Sequence, residues 1–548
     1  MITRSTMYSL VIAGVFLSNL SAEERKKKPD VTPVKKNSFI ADIAVMDVNN
    51  IALDLMNDGS SGNDGRGFYP SGSGLSFLFQ AGVSVSGFVN GDLRTGWMAK
   101  SLLVLELQPG TMNQSPQAPD ARFYEVKLTD NFGSPNYIAW QEAVAQGAGF
   151  QDLDGNGIYN PNVDRPDIIG DITYWTAFND CTSISQRTPR YQTEPLGIEI
   201  HQTVWVLERS DGFGDIIFFR YRLFNKNENP IDSLLFSHWS DPDIGDHGDD
   251  LIGSDIPLQL SYCYNNGSDL MYGINPPAFG VRLLQGPIIP MPGGTAYRFR
   301  GFALGTEVIQ DAVNLAASSV LSFINSDPVF GDPGTATVAR YYQEGCRDVS
   351  GQPIIPSAWG TGGTTADNCK FFYSGDPVAG TGWRDTAPLD KRMIFSVAPF
   401  HFAAGDTQEV IFAYLVGRGN DHLDSVTELK DRAELAETYI GFSQPPVGIE
   451  NLVTPAENFR LFANYPNPFN PTTTIQYELP YATRIKLTVY DPLGREVRTL
   501  VNTHKNAGEN QVVWDGRDAS GNDVSSGIYI YRLITESTSV ARKMLLVR

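Results

Sequence analysis

The sequence is poor in histidine and cysteine, and it lacks the common catalytic motifs. Its six histidines are scattered, and none belongs to an H-E-x-x-H zinc motif. The four cysteines form no C-x-x-C pair, which excludes a zinc ribbon and a thioredoxin-like centre. The G-x-S-x-G and G-x-x-x-x-G-K-[ST] motifs are also missing, so the sequence indicates neither a nucleophile elbow nor a phosphate-binding loop.

Long apolar runs and positive charge are scarce as well. No segment beyond the N-terminal region reaches about 18 apolar residues, so no transmembrane segment is predicted there. Only 19% of the residues are charged, and the formal net charge is −20. Because binding to phosphates needs a positive surface, this balance argues against nucleic acid as a partner. Acidity of this kind suits cations, and it also simply favours solubility.

Composition predicts a mainly β protein with a real core. The chain has 52 glycines and 34 prolines, which favours many turns over long helices, and 11% aromatic residues. We expect a large β-sandwich-type body over residues 39–443, either as one unit or as two packed domains divided near residue 190. A linker at residues 444–458 and a smaller domain at 459–548 follow, as Pro content and lost periodicity indicate.

Periodicity predicts a few elements within the body. Ile217, Phe219, Tyr221 and Leu223 alternate with arginines as in a strand, and residues 231–239 are its expected hairpin partner. A second expected pair joins residues 397–402 to 410–416. The expected helices follow Ser134-Pro135, span residues 307–323, and span residues 421–439 with Asp421 as the cap.

The N-terminal residues have the pattern of a signal peptide. Arg4 precedes an apolar run from Tyr8 to Leu17, and Ala22 offers a small residue at the expected cleavage point. We therefore predict a signal peptide at residues 1–22 and a structureless charged leader at 23–38. The alternative, a buried N-terminal helix, is disfavoured by the basic residues 25–28.

The C-terminal residues have the pattern of a small β-sandwich. Ile485, Leu487 and Val489 alternate with polar residues, and Asp491-Pro492-Leu493-Gly494 has turn chemistry. Several short strands with a turn every dozen residues predict an immunoglobulin-like sandwich.

This region resembles the type A C-terminal sorting domain of type IX secretion cargo, whose immunoglobulin-like fold also occurs in flagellar hook-capping proteins. The resemblance is carried by NYPNPFNPTTT at 464–474, Asp491, Gly494, Trp514-Asp515-Gly516, Gly527-Ile528-Tyr529, Arg542, Lys543 and Leu546. It implies a sorting signal that includes Pro466, Asn467, Pro468, Gly527, Tyr529 and Lys543. An ordinary immunoglobulin-like module is the alternative.

The resemblance also implies partners and a location. Residues 459–548 would meet the type IX machinery and its cell-surface peptidase, with attachment to lipopolysaccharide or release afterwards. The protein would travel through the periplasm and end as a secreted or outer-surface protein. Segments of the body such as SHWSDPDIGDHGDDLIGSD look like an uncharacterised secreted bacterial ectodomain, and this likeness implies no activity.

The even cysteine count predicts disulfides if the protein is extracellular. Three pairings are open. We favour Cys346 with Cys369 because they are close in sequence, and Cys181 with Cys263 by elimination. Four separate buried thiols are the alternative.

Two acidic clusters predict Ca²⁺ sites. The first consists of Asp152, Asp154, Asn156, Asn160 and Asp164, with glycines between them. Oxygen ligands on alternate residues of a tight loop suit Ca²⁺, although the spacing departs from an EF-hand. A loop of Asx turns that binds no metal is the alternative.

The second cluster holds six carboxylates within fifteen residues, and these repel one another unless a cation or water screens them. Its members are Asp241, Asp243, Asp246, Asp249, Asp250 and Asp255. Ca²⁺ is the first expectation. The alternatives are a transition metal that also uses His238 and His247, or a solvated acidic loop.

Three function classes remain open for the body. The first is a non-enzymatic adhesion, binding or structural ectodomain stabilised by calcium and disulfides, with a polysaccharide or surface-protein ligand. The second is a secreted hydrolase of polysaccharide or protein with an unrecognised active site. The third is a subunit that assembles into a surface layer or filament.

Overall fold

A computed structural model describes residues 42–440 and 460–547 of the chain. Short gaps lie at 103, 113, 184–186, 188–189, 302–304, 326, 463, 465, 480–482, 493–494, 506–507 and 536–538. The predicted signal peptide (1–22), leader (23–38) and linker (444–458) fall outside the described residues. We call residues 42–440 the body and residues 460–547 the tail.

The body is built mainly of strands. In chain order β1–β24 are Ile43–Met46, Ala52–Met56, Gly67–Phe68, Ser76–Leu78, Gln80–Val89, Asp92–Ala99, Val104–Leu105, Gln108–Pro109, Tyr124–Lys127, Phe150–Gln151, Arg165–Pro166, Ile172–Asn179, Ile198–Val206, Ile216–Asn225, Ile231–Asp241, Asp250–Asp255, Leu260–Asn265, Ala278–Gln285, Ile288–Phe299, Thr306–Asn314, Ala317–Phe323, Arg392–Val397, Phe400–Phe402 and Thr407–Gly417. The helices are α1 (Pro135–Ala145), α2 (Ala336–Glu344) and α3 (His422–Ile440).

Two large antiparallel sheets form a sandwich, as composition predicted. One has the strand order β16-β17-β18-β24-β14-β13-β12-β8, with β9 also on β12. The other has the order β21-β22-β15-β5-β6-β7, with β23 also on β15. β15 pairs with β5, and β12 pairs with β13, so strands from both sides of residue 190 share each sheet. Residue 190 is therefore not a boundary between domains of separate sheets.

The main core lies between these sheets. Aromatic rings meet across the gap: Tyr221 on β14 lies 5.4 Å from Phe236 on β15, between centroids, and Phe395 on β22 lies 5.8 Å from Phe412 on β24. The predicted alternation of β14 is confirmed, since Ile217, Phe219, Tyr221 and Leu223 belong to this core. The arginines between them face the opposite side of the sheet.

Two helices cover parts of the outer face of the larger sheet. Helix α3 packs Val426, Leu429 and Ala433 against β17, β18 and β24. Asp421 caps it as predicted, because its Oδ1 accepts the backbone N–H groups of Leu423 and Asp424 at 2.9 Å. Helix α1 begins after Ser134, also as predicted, and packs near β9. None of the helices in the described ranges has the length and apolar character needed to cross a bilayer.

Three local predictions about the body are wrong. Residues 307–323 form strands β20 and β21, which pair with β19 and β22, instead of a helix. Strand β14 pairs with β13 and β24, and not with β15, which lies in the other sheet. β23 likewise pairs with β15, and not with β24. In each false hairpin the connection crosses between the sheets, so neighbours in sequence face each other across the core.

The cysteines form one disulfide. Cys346 and Cys369 are bonded as predicted, with their Cα atoms 4.9 Å apart. The second predicted bond is wrong, because Cys181 and Cys263 are free thiols. Cys263 lies on β17 and Cys181 follows β12, which is five strands away in the same sheet. Five strand spacings amount to about 24 Å, whereas a disulfide needs Cα atoms within about 7 Å.

The tail is an immunoglobulin-like sandwich, as predicted. Its strands β25–β31 are Arg460–Leu461, Thr473–Leu479, Thr483–Tyr490, Glu496–Lys505, Gly508–Trp514, Gly527–Ile534 and Ser539–Leu546. They form one sheet in the order β25-β26-β29 and another in the order β28-β27-β30-β31. Ile485, Leu487, Val489 and Trp514 are buried in its own core.

Candidate metal centres and the C-terminal domain

The first acidic cluster lies in the loop that joins β10 to β11. These strands pair over two residues, Phe150 with Pro166 and Gln151 with Arg165, and so close the loop at its base. Gly155 and Gly157 have φ values of +73° and +75°, which allow the chain to curl tightly inside it. The loop brings oxygens of Asp152, Asp154 and Asp164 within 4.8 Å of one another.

Backbone N–H groups hold these carboxylates in place. Asp152 accepts the N–H groups of Gly155 at 2.8 Å and Gly157 at 2.7 Å, and these bonds, the one from Gly157 foremost, lower its pKa. Asp164 is fully buried and accepts the N–H groups of Leu153 and Asn160, both at 2.8 Å. The loop therefore holds these carboxylates in fixed positions.

The two predicted asparagine ligands have other roles. Asn156 Oδ1 accepts the Ile158 N–H at 2.6 Å, and Asn160 Oδ1 accepts the Asn162 N–H at 3.0 Å. These are Asx turns, the geometry expected for the alternative in which the loop binds no metal. Three of the five predicted residues cluster, while two shape the loop.

The second cluster joins Asp241 and Asp243 to Asp390. Asp241 ends β15, and Asp390 stands two residues before β22, its neighbour in the sheet. Oxygens of Asp241, Asp243 and Asp390 lie within 4.8 Å of one another. Ca²⁺ binds oxygens at about 2.3–2.6 Å, so ligands on opposite sides of one ion are up to about 5 Å apart. The spacing of both clusters fits this ion.

Only one of the two carboxylate oxygens of Asp241 has hydrogen-bond partners. Its Oδ2 accepts the Ser101 hydroxyl at 2.9 Å and Arg392 Nε at 3.2 Å. Its Oδ1 is buried and has no hydrogen-bond partner, and the same is true of Asp390 Oδ1. A buried carboxylate oxygen without a partner is costly, and a bound cation supplies the missing interaction.

The electrostatics of this cluster favour a bound positive charge. Burial raises the pKa of Asp241 to about 6, against the effect of Arg392 and with that of Asp390. Burial, followed by the charges of Asp241 and Asp390, raises the pKa of Asp243 to about 7. The carboxylates thus gain stability by taking up either a proton or a cation.

The other predicted members of this cluster have different roles. Asp246 caps a short turn by accepting the Gly248 N–H at 3.1 Å, and Asp249 accepts the amide of Asn265. Asp250 is buried at the start of β16, where its Oδ2 accepts the Ile244 N–H at 3.4 Å. Asp255 pairs with Lys430 at 2.9 Å.

The histidines of the transition-metal alternative are not used together. His238 lies in the core with its Nε2 at 2.5 Å from the Tyr414 hydroxyl, and burial lowers its pKa to about 3. His247 is exposed on the turn that follows Asp246, near Asp243. Only His247 therefore remains near the carboxylates.

The proposed sorting residues of the tail lie close to its last strand. Asn467 Oδ1 accepts the Leu545 N–H at 2.9 Å, and the buried Phe469 exchanges backbone hydrogen bonds with Leu545 and Val547 at 3.0 Å. Tyr529 packs on Trp514 with ring centroids 5.2 Å apart, and Lys543 is exposed on β31. The PNPFNP segment and the C-terminal strand thus form one surface.

Body and tail together define a mainly β protein with a C-terminal immunoglobulin-like domain. Residues 470–539 match the family described as the FlgD Ig-like domain. This match covers the tail alone. The sequence matches no curated protein.

Several solved structures match between 64% and 92% of this chain at low identity. A polysaccharide lyase has 8% identity over 64% of this chain and 34% of its own, with a TM-score of 0.18. Dimeric latent PorU from Porphyromonas gingivalis has 11% identity over 69% and 31%, with a TM-score of 0.16. PorZ, a surface component of the type-IX secretion system of the same organism, has 13% identity over 92% and 51%, with a TM-score of 0.17. The chain thus spans about a third to a half of their length, and TM-scores this low carry no argument.

Proposed function

We propose that this chain is a secreted or cell-surface protein exported by type IX secretion through residues 459–548. Its body acts as a non-enzymatic adhesion, binding or structural ectodomain, stabilised by Ca²⁺ and the disulfide between Cys346 and Cys369. The partners of the tail are the secretion machinery and its surface peptidase, and lipopolysaccharide is the proposed anchor.

One observation carries the export proposal. The tail combines an immunoglobulin-like fold with a PNPFNP segment that is hydrogen-bonded to the C-terminal strand through Asn467 and Phe469. Lys543 and Arg542 lie on that same strand. A receptor that reads the C-terminal strand would therefore meet the proline-rich segment beside it.

Export is tested by fractionation in a bacterium that has type IX secretion. Three proteins are compared: the full chain, the chain without residues 459–548, and a periplasmic reporter carrying residues 459–548. We expect the full chain and the reporter fusion at the surface or in the medium, and the truncated chain in the periplasm. Surface display of the truncated chain at the level of the full chain would contradict the proposal.

The proposal that the body binds Ca²⁺ rests on the two carboxylate clusters. Both place three oxygens within 4.8 Å of one another, and the second also contains buried oxygens without partners. Ca²⁺ at these positions would tie β10 to β11 and β15 to the segment before β22. Such crosslinks stabilise a domain outside the cell, where the ion is abundant.

A secreted hydrolase is the second candidate. It is favoured by the raised pKa values of Asp241 and Asp243, since a carboxylic acid that stays protonated near neutral pH can act as a general acid. Asp241 is only 2% exposed, however, and a polymer chain needs access to the reacting group. This burial favours the metal site.

Incubation of the purified chain with a panel of polysaccharides and proteins separates the two candidates. Pellet and supernatant are analysed by mass spectrometry, with Ca²⁺ present. Retention on a polymer without fragments supports the binding ectodomain. New soluble fragments that disappear in an Asp243→Asn variant would establish the hydrolase instead.

A further inference from the structure

Four arginines gather in one cleft of this acidic chain. Arg220 and Arg222 are alternate residues of β14 on the outer face of the larger sheet, and Arg298 and Arg300 come from the end of β19 and the residue after Phe299. Together with Asp167 and Glu409, they line a cleft of about 350 Å³. The lining thus has four positive and two negative charges, in a chain whose net charge is −20. A third carboxylate, Glu307, pairs with Arg298 and Arg300.

The carboxylates nearby neutralise these charges only in part. Arg220 donates to Asp167 at 3.1 Å, whereas the closest approach of Arg222 to Glu409 is 3.9 Å. Glu307 is shared between Arg298 at 3.4 Å and Arg300 at 3.5 Å. Burial lowers the pKa of Arg222, and the charges of Arg220 and Arg300 lower it further, against the effect of Glu409.

One donor in the cleft has no acceptor in the protein. Arg220 is 8% exposed, and its Nε is buried without a hydrogen-bond partner although its Nη2 is paired. A guanidinium group prefers to donate two parallel bonds to a carboxylate or phosphate. A bound oxyanion beside Asp167 would supply the acceptor that this buried Nε lacks.

The rest of the lining favours a sugar as the carrier of that anion. Gln151 and Thr407 also line the cleft, together with the half-buried Phe150. Amide and hydroxyl groups suit sugar hydroxyls, and an aromatic face suits the apolar side of a sugar ring.

We propose that this arginine cleft binds the carboxylate of an acidic saccharide, such as a uronic acid unit. The role of this saccharide as an extracellular ligand rests on the proposed function, while the binding site itself stands on the geometry alone. Arg220 and Arg222 hold the carboxylate from β14, and Arg300, the residue after β19, contacts it from the other side of the cleft.

Titration calorimetry on the purified full chain tests this site independently of export. The probes are oligogalacturonate and its fully methyl-esterified form, which has the same rings without the charge. We expect binding of the first only, and a loss of at least tenfold in affinity for an Arg222→Gln, Arg300→Gln double variant. Both side chains are partly exposed, so the fold should survive, and circular dichroism checks this.

The control is Arg209→Gln, which removes an exposed arginine paired with Asp211 outside the cleft. The affinity of this variant for oligogalacturonate should stay within twofold of that of the unmodified chain. Equal affinity of the double variant, or no binding of oligogalacturonate at all, would overturn the proposal. Binding of sulfated but not carboxylated oligomers would show that the cleft does not recognise a carboxylate. Equal binding of polyglutamate would show that it does not recognise a saccharide.

Discussion

Asp241 and Asp390 place carboxylate oxygens within 4.8 Å of each other, in a cluster that also includes Asp243. They come from β15 and from the segment just before β22, which are neighbours in the sheet but far apart in sequence. One oxygen of each is buried without a hydrogen bond. The fold thus holds like charges together, and a cation removes the resulting cost.

Asp390→Asn is expected to remove the part of calcium stabilisation that comes from this cluster. A ligand at a hundred times its Kd stabilises the folded state by about 2.7 kcal/mol, so the melting temperature should rise in Ca²⁺ and fall in chelator. In chelator the variant should be at least as stable as the original chain, because one repelling charge is gone. Thermal unfolding with and without Ca²⁺ measures both effects.

The matched control is Asp246→Asn, in the same acidic stretch. Asp246 caps a turn and does not belong to the cluster, so its variant should keep the full response to Ca²⁺. Melting curves of the unmodified chain that are identical in Ca²⁺ and in excess chelator would eliminate both metal sites.

Asp154→Asn is expected to remove one bound Ca²⁺ from the loop between β10 and β11. Asp154 is exposed, and its side chain contacts only Asn156 among the hydrogen bonds of the loop, so the fold should tolerate the change. Calorimetric titration should give two ions per chain, one in each single variant of Asp154 or Asp390, and none in the double variant. A stoichiometry unaffected by these changes would place the ions elsewhere.

The sequence reveals the first cluster but not the whole of the second, because only the first is local. All members of the first lie in one loop, and the alternating Asp and Gly residues reveal it directly. The second needs Asp390, which no local pattern links to Asp241. Only the pairing of β15 with β22 brings them together, and the false hairpin predicted for β15 hid this neighbour.

Side-chain periodicity was a better guide than strand pairing. It identified the buried face of β14 and the helix capped by Asp421, because both depend on nearby residues. It failed at residues 307–323, where β20 and β21 gain their hydrogen bonds from β19 and β22. Tertiary pairing overrides local preference in such segments. The arginine cleft is also non-local, since two of its arginines lie on β14 and the other two lie around the end of β19.

Alkylation of the denatured, unreduced chain should label two cysteines. Peptide mapping should assign the labels to Cys181 and Cys263, because only Cys346 and Cys369 are bonded. Replacing Cys346 and Cys369 by alanine should lower the free energy of unfolding by about 3 kcal/mol, as loop-closure entropy predicts for their spacing. A label on Cys346 or Cys369, or none on Cys181 and Cys263, would contradict this pairing.

His238 is expected to make the protein less stable in acid. Burial lowers its pKa from 6.5 to about 3, so the unfolded chain takes up a proton that the folded chain refuses between these values. The contribution of neutral His238 to the free energy of unfolding is therefore complete above pH 6.5, and it is lost as the pH falls from 6.5 towards 3. One proton corresponds to about 1.4 kcal/mol per pH unit.

Denaturant unfolding between about pH 6 and pH 4 measures this effect as a slope. His238→Gln keeps a hydrogen-bonding group near the Tyr414 hydroxyl and cannot be protonated, so its slope should be smaller than that of the original chain. His401→Gln, at an exposed site beside Asp232, provides the comparison and should not flatten the slope in this way. Parallel profiles for the original chain and His238→Gln would contradict the assignment.

Gly417 allows α3 to sit directly on the end of β24. A Cβ atom at this position would lie 2.1 Å from the Leu429 backbone nitrogen and 2.6 Å from the Ser425 carbonyl oxygen. Backbone atoms cannot rotate away, so Gly417→Ala must displace the helix from Ala413 and Leu415, which it covers. We expect a loss of about 3 kcal/mol or more in the free energy of unfolding, at the upper end of overpacking effects.

Gly334→Ala is the matched control, since a Cβ there meets nothing within 4 Å, and its effect should stay within about 0.5 kcal/mol. Hydrogen exchange should show faster exchange along α3 in the first variant only, and equal stability of the two variants would mean that the helix packs elsewhere.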